Sequence, residues 1–276
     1  MTRHEFLKIM SLATAAGLGL YTGLVEPHWL EFVRRPLSIR NLPLNLVGYT
    51  LVQISDIHMG LYVDDNYIIS VFNMITDLHP DILIFTGDFI TYHPEVFTQF
   101  PSVYKFFPTV RLATLAILGN HDYGPEWSHP DVADRIVQTV QLYGVTVLRN
   151  EVVDVSGLQI AGFDDWWGNQ FQAEPVWVAL NPNGAMLALS HNPDTVDLPV
   201  WQNYQGWILA GHTHGGQCKP PFLPPPILPV SNQRYTAGEF VLSGNRQMYI
   251  SRGVGHLLPV RFNVRPEVTV FELRSA

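Results

Sequence analysis

Five short blocks carry side chains that bind hard cations, and they follow one another in order: Asp56-Ile57-His58, Gly87-Asp88, Gly119-Asn120-His121-Asp122, His191, and Gly211-His212-Thr213-His214. Together they offer carboxylate and amide oxygens and several imidazoles, with no thiolate among them. That donor mixture suits Mn²⁺, Fe, Zn²⁺ or Co²⁺ in a catalytic centre better than structural zinc. Two such cations held side by side support hydrolysis. Each block alone has a plainer reading. Gly-Asp is a common turn or helix cap, Asn-His-Asp can be a turn, a lone His is more often a satisfied core residue, and Asp-x-His occurs by chance. The ordered succession carries the signal.

Spacing says how the side chains meet. Residues two apart on an extended segment point to the same side. Asp56 with His58, and His212 with His214, can therefore each reach one ion from the end of a strand. Gly87 permits a sharp turn, and the Asp88 carboxylate beyond it can bridge two cations. His121 cannot easily point the same way as Asn120, which leaves it free to face a substrate. Asp122 is expected to accept a hydrogen bond from His121, fixing its tautomer and favouring the imidazolium, which can protonate a leaving alkoxide. The remaining histidines (His4, His28, His79, His93, His129 and His256) lack such a setting and read as surface or packing residues.

Apolar runs precede the blocks and read as buried strands. Leu46–Ser55, Asp81–Thr86 and Leu112–Leu118 are strands in the first half; Asn66–Leu78, Val96–Phe107 and Val132–Tyr143 have helical spacing. His79-Pro80 ends the first of these helices. The second half is richer in strands: Thr146–Leu148, Glu151–Val155, Leu158–Ala161, Met186–Ser190, Trp207–Ala210, Glu239–Leu242, Met248–Ile250 and Val268–Leu273. Short helices are expected at Ala173–Ala179 and Thr195–Trp201. The alternation predicts an α/β fold of two mixed sheets packed face to face with helices outside. No internal repeat is visible, and Pro220–Pro229 reads as an extended loop that either overlies the site or is ordinary rigid packing. Asp164-Asp165-Trp166-Trp167 reads as a pocket lining or as a turn with buried tryptophans.

Apolar residues make up 47% of the 276-residue chain and charged residues 14%, enough for a substantial core and against disorder. A net charge of −8 gives no basic footprint, so no nucleic-acid partner is expected. The single cysteine, Cys218, excludes an internal disulfide and reads as structural. Residues 1–44 differ in kind from the domain expected over 45–276. Arg3 and Lys8 lead into an uncharged stretch, Ile9–Val25, that fits a signal peptide or a signal anchor. The run Thr2–Lys8 resembles a twin-arginine export signal with His4 where the second arginine would stand. Trp29, Phe32, Arg34 and Arg35 then read as an interfacial patch, the alternative being a helix that packs on the domain through Trp29, Leu30 and Val33. Residues 36–44, with two prolines, read as a linker. The expected location is a bacterial inner membrane, with the extracytoplasmic side open to it.

The five blocks together resemble the calcineurin-like metallophosphoesterases from about residue 50 to 217. Several local features resemble the YkuE/YaeI-like phosphodiesterase branch of that family. These are His212-Thr213-His214-Gly215-Gly216-Gln217, His191-Asn192-Pro193-Asp194, Arg252-Gly253-Val254-Gly255 and Glu26-Pro27-His28-Trp29. The resemblance implies a four-layer α/β/β/α sandwich with two divalent cations between the sheets, Mn²⁺ foremost. It implies Asp56, His58 and His214 at one cation, Asn120, His191 and His212 at the other, and Asp88 bridging. It also implies His121 near the leaving group, oriented by Asp122. The implied activity is hydrolysis of a phosphodiester or pyrophosphate in a small-molecule or lipid-linked substrate, UDP-2,3-diacylglucosamine among the candidates. A noncatalytic metal-binding α/β module is the alternative, and metal-dependent acyl or amide hydrolysis a second enzymatic one.

Overall fold

The structure, a computed structural model, describes residues 1–276. Helix α1 (Arg3–Leu20) opens on a reciprocal cap: the Thr2 hydroxyl accepts from the Glu5 amide, and the Glu5 carboxylate accepts from the Thr2 amide. None of its side chains is buried. It continues through Tyr21–Val25 and a 3-10 turn at Glu26–His28, 26 helical residues in all.

There follow β1 (Glu31–Ile39), β2 (Thr50–Ile54), α2 (Asp65–Asp77), β3 (Ile82–Thr86), α3 (Val96–Tyr104), β4 (Ala113–Ile117), α4 (Pro130–Gln141) and β5 (Val145–Val147). The remaining elements are β6 (Glu151–Val155), β7 (Leu158–Gly162), α5 (Glu174–Ala179), β8 (Ala185–Leu189), β9 (Trp207–Ala210), β10 (Gly238–Val241), β11 (Gln247–Ile250) and β12 (Glu267–Ser275). They form two six-stranded sheets, ordered β1-β12-β2-β3-β4-β5 and β10-β11-β9-β8-β7-β6. Both are mixed: β2, β3, β4 and β5 run parallel, as do β7, β8, β9 and β11, while β12 against β2, β6 against β7 and β10 against β11 are antiparallel.

Three apolar clusters show why the layers stack. One fills the space between the first sheet and its outer helices, joining Val52, Leu83 and Phe85 to Phe72 and Ile75 of α2, Phe100 of α3 and Ile136 of α4. A second lies between the sheets, with Leu51, Ile84 and Leu115 against Ile160, Leu187 and Leu209. The third covers the outer face of the second sheet, where Ala188 and Ile208 meet Val176 of α5, Trp201 and Tyr204. Alternate residues of one strand thus serve different clusters, as the two-residue period of a strand requires. The result is the α/β/β/α sandwich.

Three expectations need correction. The segment read as a linker contains the second half of β1, which pairs in parallel with β12 from Glu31↔Glu267 to Ile39↔Ser275. Pro36 and the adjacent arginines hide it, but β1 is an edge strand, where proline is tolerated. Phe32 packs on the first cluster, and Arg34 and Arg35 lie on the sheet edge, so only Trp29 of the expected interfacial patch stays an exposed aromatic. The helix expected over Thr195–Trp201 is a 3-10 turn at Pro193–Asp197; Pro199 pushes the residue before it into extended backbone.

Candidate metal centre

Parallel strands leave their carboxyl ends together, and the two sheets bring five such ends to one place. Asp56 and His58 follow β2, Asp88 follows β3 and Asn120 follows β4; His191 follows β8, and His212 and His214 follow β9. Pairing runs on past the strands. The Asp56 amide donates to the Gly87 carbonyl at 2.9 Å and the His58 amide to the Asp88 carbonyl at 3.1 Å. Five of these residues sit in left-handed backbone: Asp56 (φ 53°), His58 (50°), Asp88 (57°), His212 (72°) and His214 (50°). That conformation is uncommon outside glycine and costs on the order of 1–3 kcal/mol each in strained cases, a strain that collects at functional sites. Close approach requires glycine at the site, as two positions show. A Cβ on Gly211 would lie 2.5 Å from Asp56 Oδ2, and one on Gly119 would lie 2.7 Å from His191 Nε2 and run into Asp88 Oδ1.

The side chains form two groups. Ligand atoms of Asp56, His58 and His214 lie within 4.8 Å of one another, and so do those of Asp88, His191 and His212. Asp88 Oδ2 stands between the groups, 3.5 Å from His58 Nε2 and 3.2 Å from His191 Nε2. His214 Nε2 is 3.4 Å from Asp56 Oδ1. All six residues are buried.

The outer ring atoms of three histidines are spoken for. His191 Nδ1 donates to the Thr86 carbonyl at 2.6 Å and His212 Nε2 to the Pro229 carbonyl at 2.7 Å. A carbonyl only accepts, so each ring carries its proton there and turns the other nitrogen inward. His58 Nδ1 meets the Thr91 hydroxyl at 3.0 Å. Such outer partners orient metal-binding imidazoles. Inside, His58 Nε2 approaches His214 Nε2 to 3.0 Å, and His212 Nδ1 approaches His191 Nε2 to 3.3 Å.

Protonation follows from burial and neighbours. Burial holds His58 and His212 down to about 3, and His214 well below its ordinary value. These three imidazoles are neutral at pH 7 and offer lone pairs. For His191 burial pulls downward, but the carboxylates of Asp88, Asp56 and Asp165 outweigh it and hold the ring up to about 10. Burial pushes the Asp88 carboxyl up, and the facing imidazoles, His191 first, hold it below its usual range. Asp56 is pushed up to about 7, chiefly by burial.

These residues fit a pair of divalent cations on an independent sign. Asn120 is buried, and neither its Oδ1 nor its Nδ2 has a partner in the protein. An unpaired buried amide is costly, and a hard cation is a natural partner for its oxygen.

His121 and Asp122 separate. The His121 ring is half-buried, lies edge-on to His58 at 4.9 Å between centroids and has no hydrogen-bond partner, while its backbone amide donates to Asp88 Oδ1 at 2.9 Å and its carbonyl accepts from the Gly124 amide at 3.1 Å. Asp122 does not accept from that ring. Its carboxylate accepts instead from the amides of Asp88 (2.9 Å), Phe89 (2.8 Å), Ile90 (3.3 Å) and Gly119 (2.9 Å), clamping two ligand loops together. The expected tautomer control of His121 by Asp122 is therefore replaced by a backbone role. Asp122→Ala leaves these buried donors unpaired, and each costs roughly 1–3 kcal/mol. Urea unfolding should show a loss of about 3 kcal/mol or more, and an unchanged midpoint would contradict the clamp.

Sequence reasoning singled out neither Thr91 nor Trp127. Trp167 lies edge-on over His212 at 4.4 Å, and Trp127 stacks on Trp167 at 4.7 Å while its other neighbour is His121 at 6.3 Å. Consecutive left-handed residues, Glu126 (54°) and Trp127 (56°), hold that indole in place. Of the two readings of Asp164–Trp167, the lining one describes Trp167. Asp164 belongs to the wall behind, bonded to the Tyr123 hydroxyl at 2.5 Å and to Arg149 at 2.8 Å.

Comparison with known proteins agrees with this arrangement. Residues 49–216, which hold every ligand candidate, match the calcineurin-like phosphoesterase family. Phosphodiesterase YaeI of Escherichia coli (strain K12) is 32% identical over 283 residues, covering 99% of each chain. The metallophosphoesterase YkuE of Bacillus subtilis (strain 168) is 33% identical over 293 residues, covering 100% of this chain and 98% of its own. The UDP-2,3-diacylglucosamine pyrophosphatase LpxG of Chlamydia muridarum (strain MoPn / Nigg) is 24% identical over 302 residues, covering 91% of both. This chain belongs to the calcineurin-like metallophosphoesterases, in the branch of YaeI and YkuE, and is a metal-dependent phosphoester hydrolase.

Proposed function

We propose that this hydrolase cleaves a phosphodiester or pyrophosphate bond in a lipid-linked substrate of the UDP-2,3-diacylglucosamine kind, using two divalent cations, Mn²⁺ foremost, at a bacterial inner membrane. The observation that carries the reading is the position of Asp88, one oxygen within 3.5 Å of imidazoles from both ligand groups. Asp56, His58 and His214 would hold one cation; Asn120, His191 and His212 would hold the other; Asp88 would serve both. When bound, the pair supplies Lewis acidity toward phosphoryl oxygens and lowers the pKa of water toward neutrality.

The chain's own residues do the rest. His121 stands at the edge of the site with both ring nitrogens free of protein partners, placed to give a proton to the departing oxygen. A purely structural metal module has no use for such a free imidazole, which favours the catalytic reading. Trp127 and Trp167 wall the same side. The lipid-linked part of the proposal is supported by the similarity to LpxG and by the exposed apolar helix α1.

Full-length protein stripped with EDTA should lose hydrolysis of bis-p-nitrophenyl phosphate and regain it with Mn²⁺. Binding a cation displaces the proton on His191 and, below about pH 7, the one on Asp56. Half-restoration should therefore need less Mn²⁺ at about pH 8 than at about pH 6. Turnover indifferent to EDTA would defeat the proposal. A screen against nucleotide-sugar lipids, phospholipids and cyclic nucleotides then assigns the substrate class.

A further inference from the structure

The exposed apolar surface is not scattered. The helical continuation of α1 is held near its end, where the Arg261 amide donates to the Thr22 carbonyl at 2.9 Å and Gly23 faces the Pro259 carbonyl. Buried Glu26 fastens the same end, its carboxylate accepting from the Val264 amide at 2.6 Å. The loop so held presents Leu258 and Val260 to solvent. Gln217 ties it to the proline-rich loop, donating to the carbonyls of Leu258 (3.1 Å) and Val260 (3.0 Å) and accepting from the Leu257 amide (3.0 Å). Lys219 N–H to the Phe262 carbonyl, 2.8 Å, adds a second tie. The proline-rich loop in turn presents Phe222, Leu223 and Ile227, with Phe222 at 105% exposure in left-handed backbone (φ 66°). A bulky side chain in that conformation, projecting wholly into water, is disfavoured twice over unless something other than water meets it.

We propose that the loops at 222–227 and 258–260 insert into a phospholipid bilayer beside the N-terminal helix, so that the metal centre works at the membrane surface. The partner is argued from continuity. The patch is hydrogen-bonded to the exit of a 26-residue apolar helix with no buried side chain over Arg3–Leu20, and one bilayer buries both. Trp29 is exposed at the same junction with the Arg265 guanidinium 4.3 Å over its ring, the pairing expected at headgroup depth.

The patch is also joined to the chemistry. Pro229, at the end of the proline-rich loop, accepts from His212. Buried Arg261 donates to the carbonyls of Arg252, Gly253 and Gly255, and the Gly255 amide donates to the Asp56 carbonyl at 2.8 Å. Bilayer contact and cation ligands thus share one hydrogen-bonded frame, which sets the height of the site above the lipid. The proposal rests on the membrane reading of the helix.

The test uses full-length Cys218→Ser protein reconstituted in phosphatidylethanolamine–phosphatidylglycerol vesicles. Phe222→Cys, Leu258→Cys and, as a control on exposed α5, Val178→Cys each carry an environment-sensitive fluorophore. Labels at 222 and 258 should shift to the blue, be quenched by brominated lipid, and be quenched by iodide several-fold less than the label at 178. Equal iodide quenching at all three sites overturns the proposal, as does shielding from iodide without quenching by brominated lipid, which would mark a protein contact instead. Failure to float with vesicles would remove the membrane reading and this inference with it. Hydrolysis of bis-p-nitrophenyl phosphate by the same samples reports on the catalytic reading separately.

Discussion

Asp88→Asn is expected to abolish most turnover of bis-p-nitrophenyl phosphate and to lower bound metal together with it. The substitution keeps the shape but replaces one anionic oxygen, the one placed between His58 and His191, by a neutral amide group. Charge stabilisation by cations in such sites is worth several kcal/mol, and about 4 kcal/mol corresponds to roughly 10³ in rate. The loss should therefore be on the order of 10³-fold at fixed Mn²⁺, partly relieved as Mn²⁺ is raised. The metal-free protein should stay folded, because the Asp122 clamp that joins the two loops uses the Asp88 backbone amide and not its side chain. Full activity with full metal content would remove Asp88 from the bridging role.

His121→Ala should separate chemistry from metal binding. The His121 ring has no hydrogen bond in the protein, and only its backbone groups are used, so metal content should be nearly unchanged. Proton transfer by a positioned imidazole contributes about 10²–10⁴-fold. The effect depends on how much help the departing oxygen needs. A p-nitrophenolate leaves readily, so the loss should be smaller with bis-p-nitrophenyl phosphate than with an alkyl phosphodiester. Equal losses on both substrates, or metals lost before turnover, would contradict a leaving-group role.

Much of this was legible in the sequence because the ligand blocks are short polar interruptions at the ends of apolar runs. Strands β3, β4 and β9 stand out as continuous buried segments, and the residue after such a run must lie at a sheet end. What stayed hidden depends on contacts between distant segments. β1 becomes a strand only through its pairing with β12, more than 230 positions later, against the message of Pro36 and its arginines. Asp122 beside His121 suggested a side-chain pair, but backbone amides 32 to 34 positions away claim the carboxylate. Thr91 and the Pro229 carbonyl orient His58 and His212, and nothing local marks either as an outer partner. Trp127 joins the site through two strained backbone positions that have no simple sequence signature.

Whether Asp88 lies between two cations is read directly by diffraction. Anomalous scattering from Mn²⁺-soaked crystals should show two peaks, one among Asp56, His58 and His214, the other among Asn120, His191 and His212, with an Asp88 oxygen against both. A single peak, or two peaks with Asp88 touching neither, would contradict it.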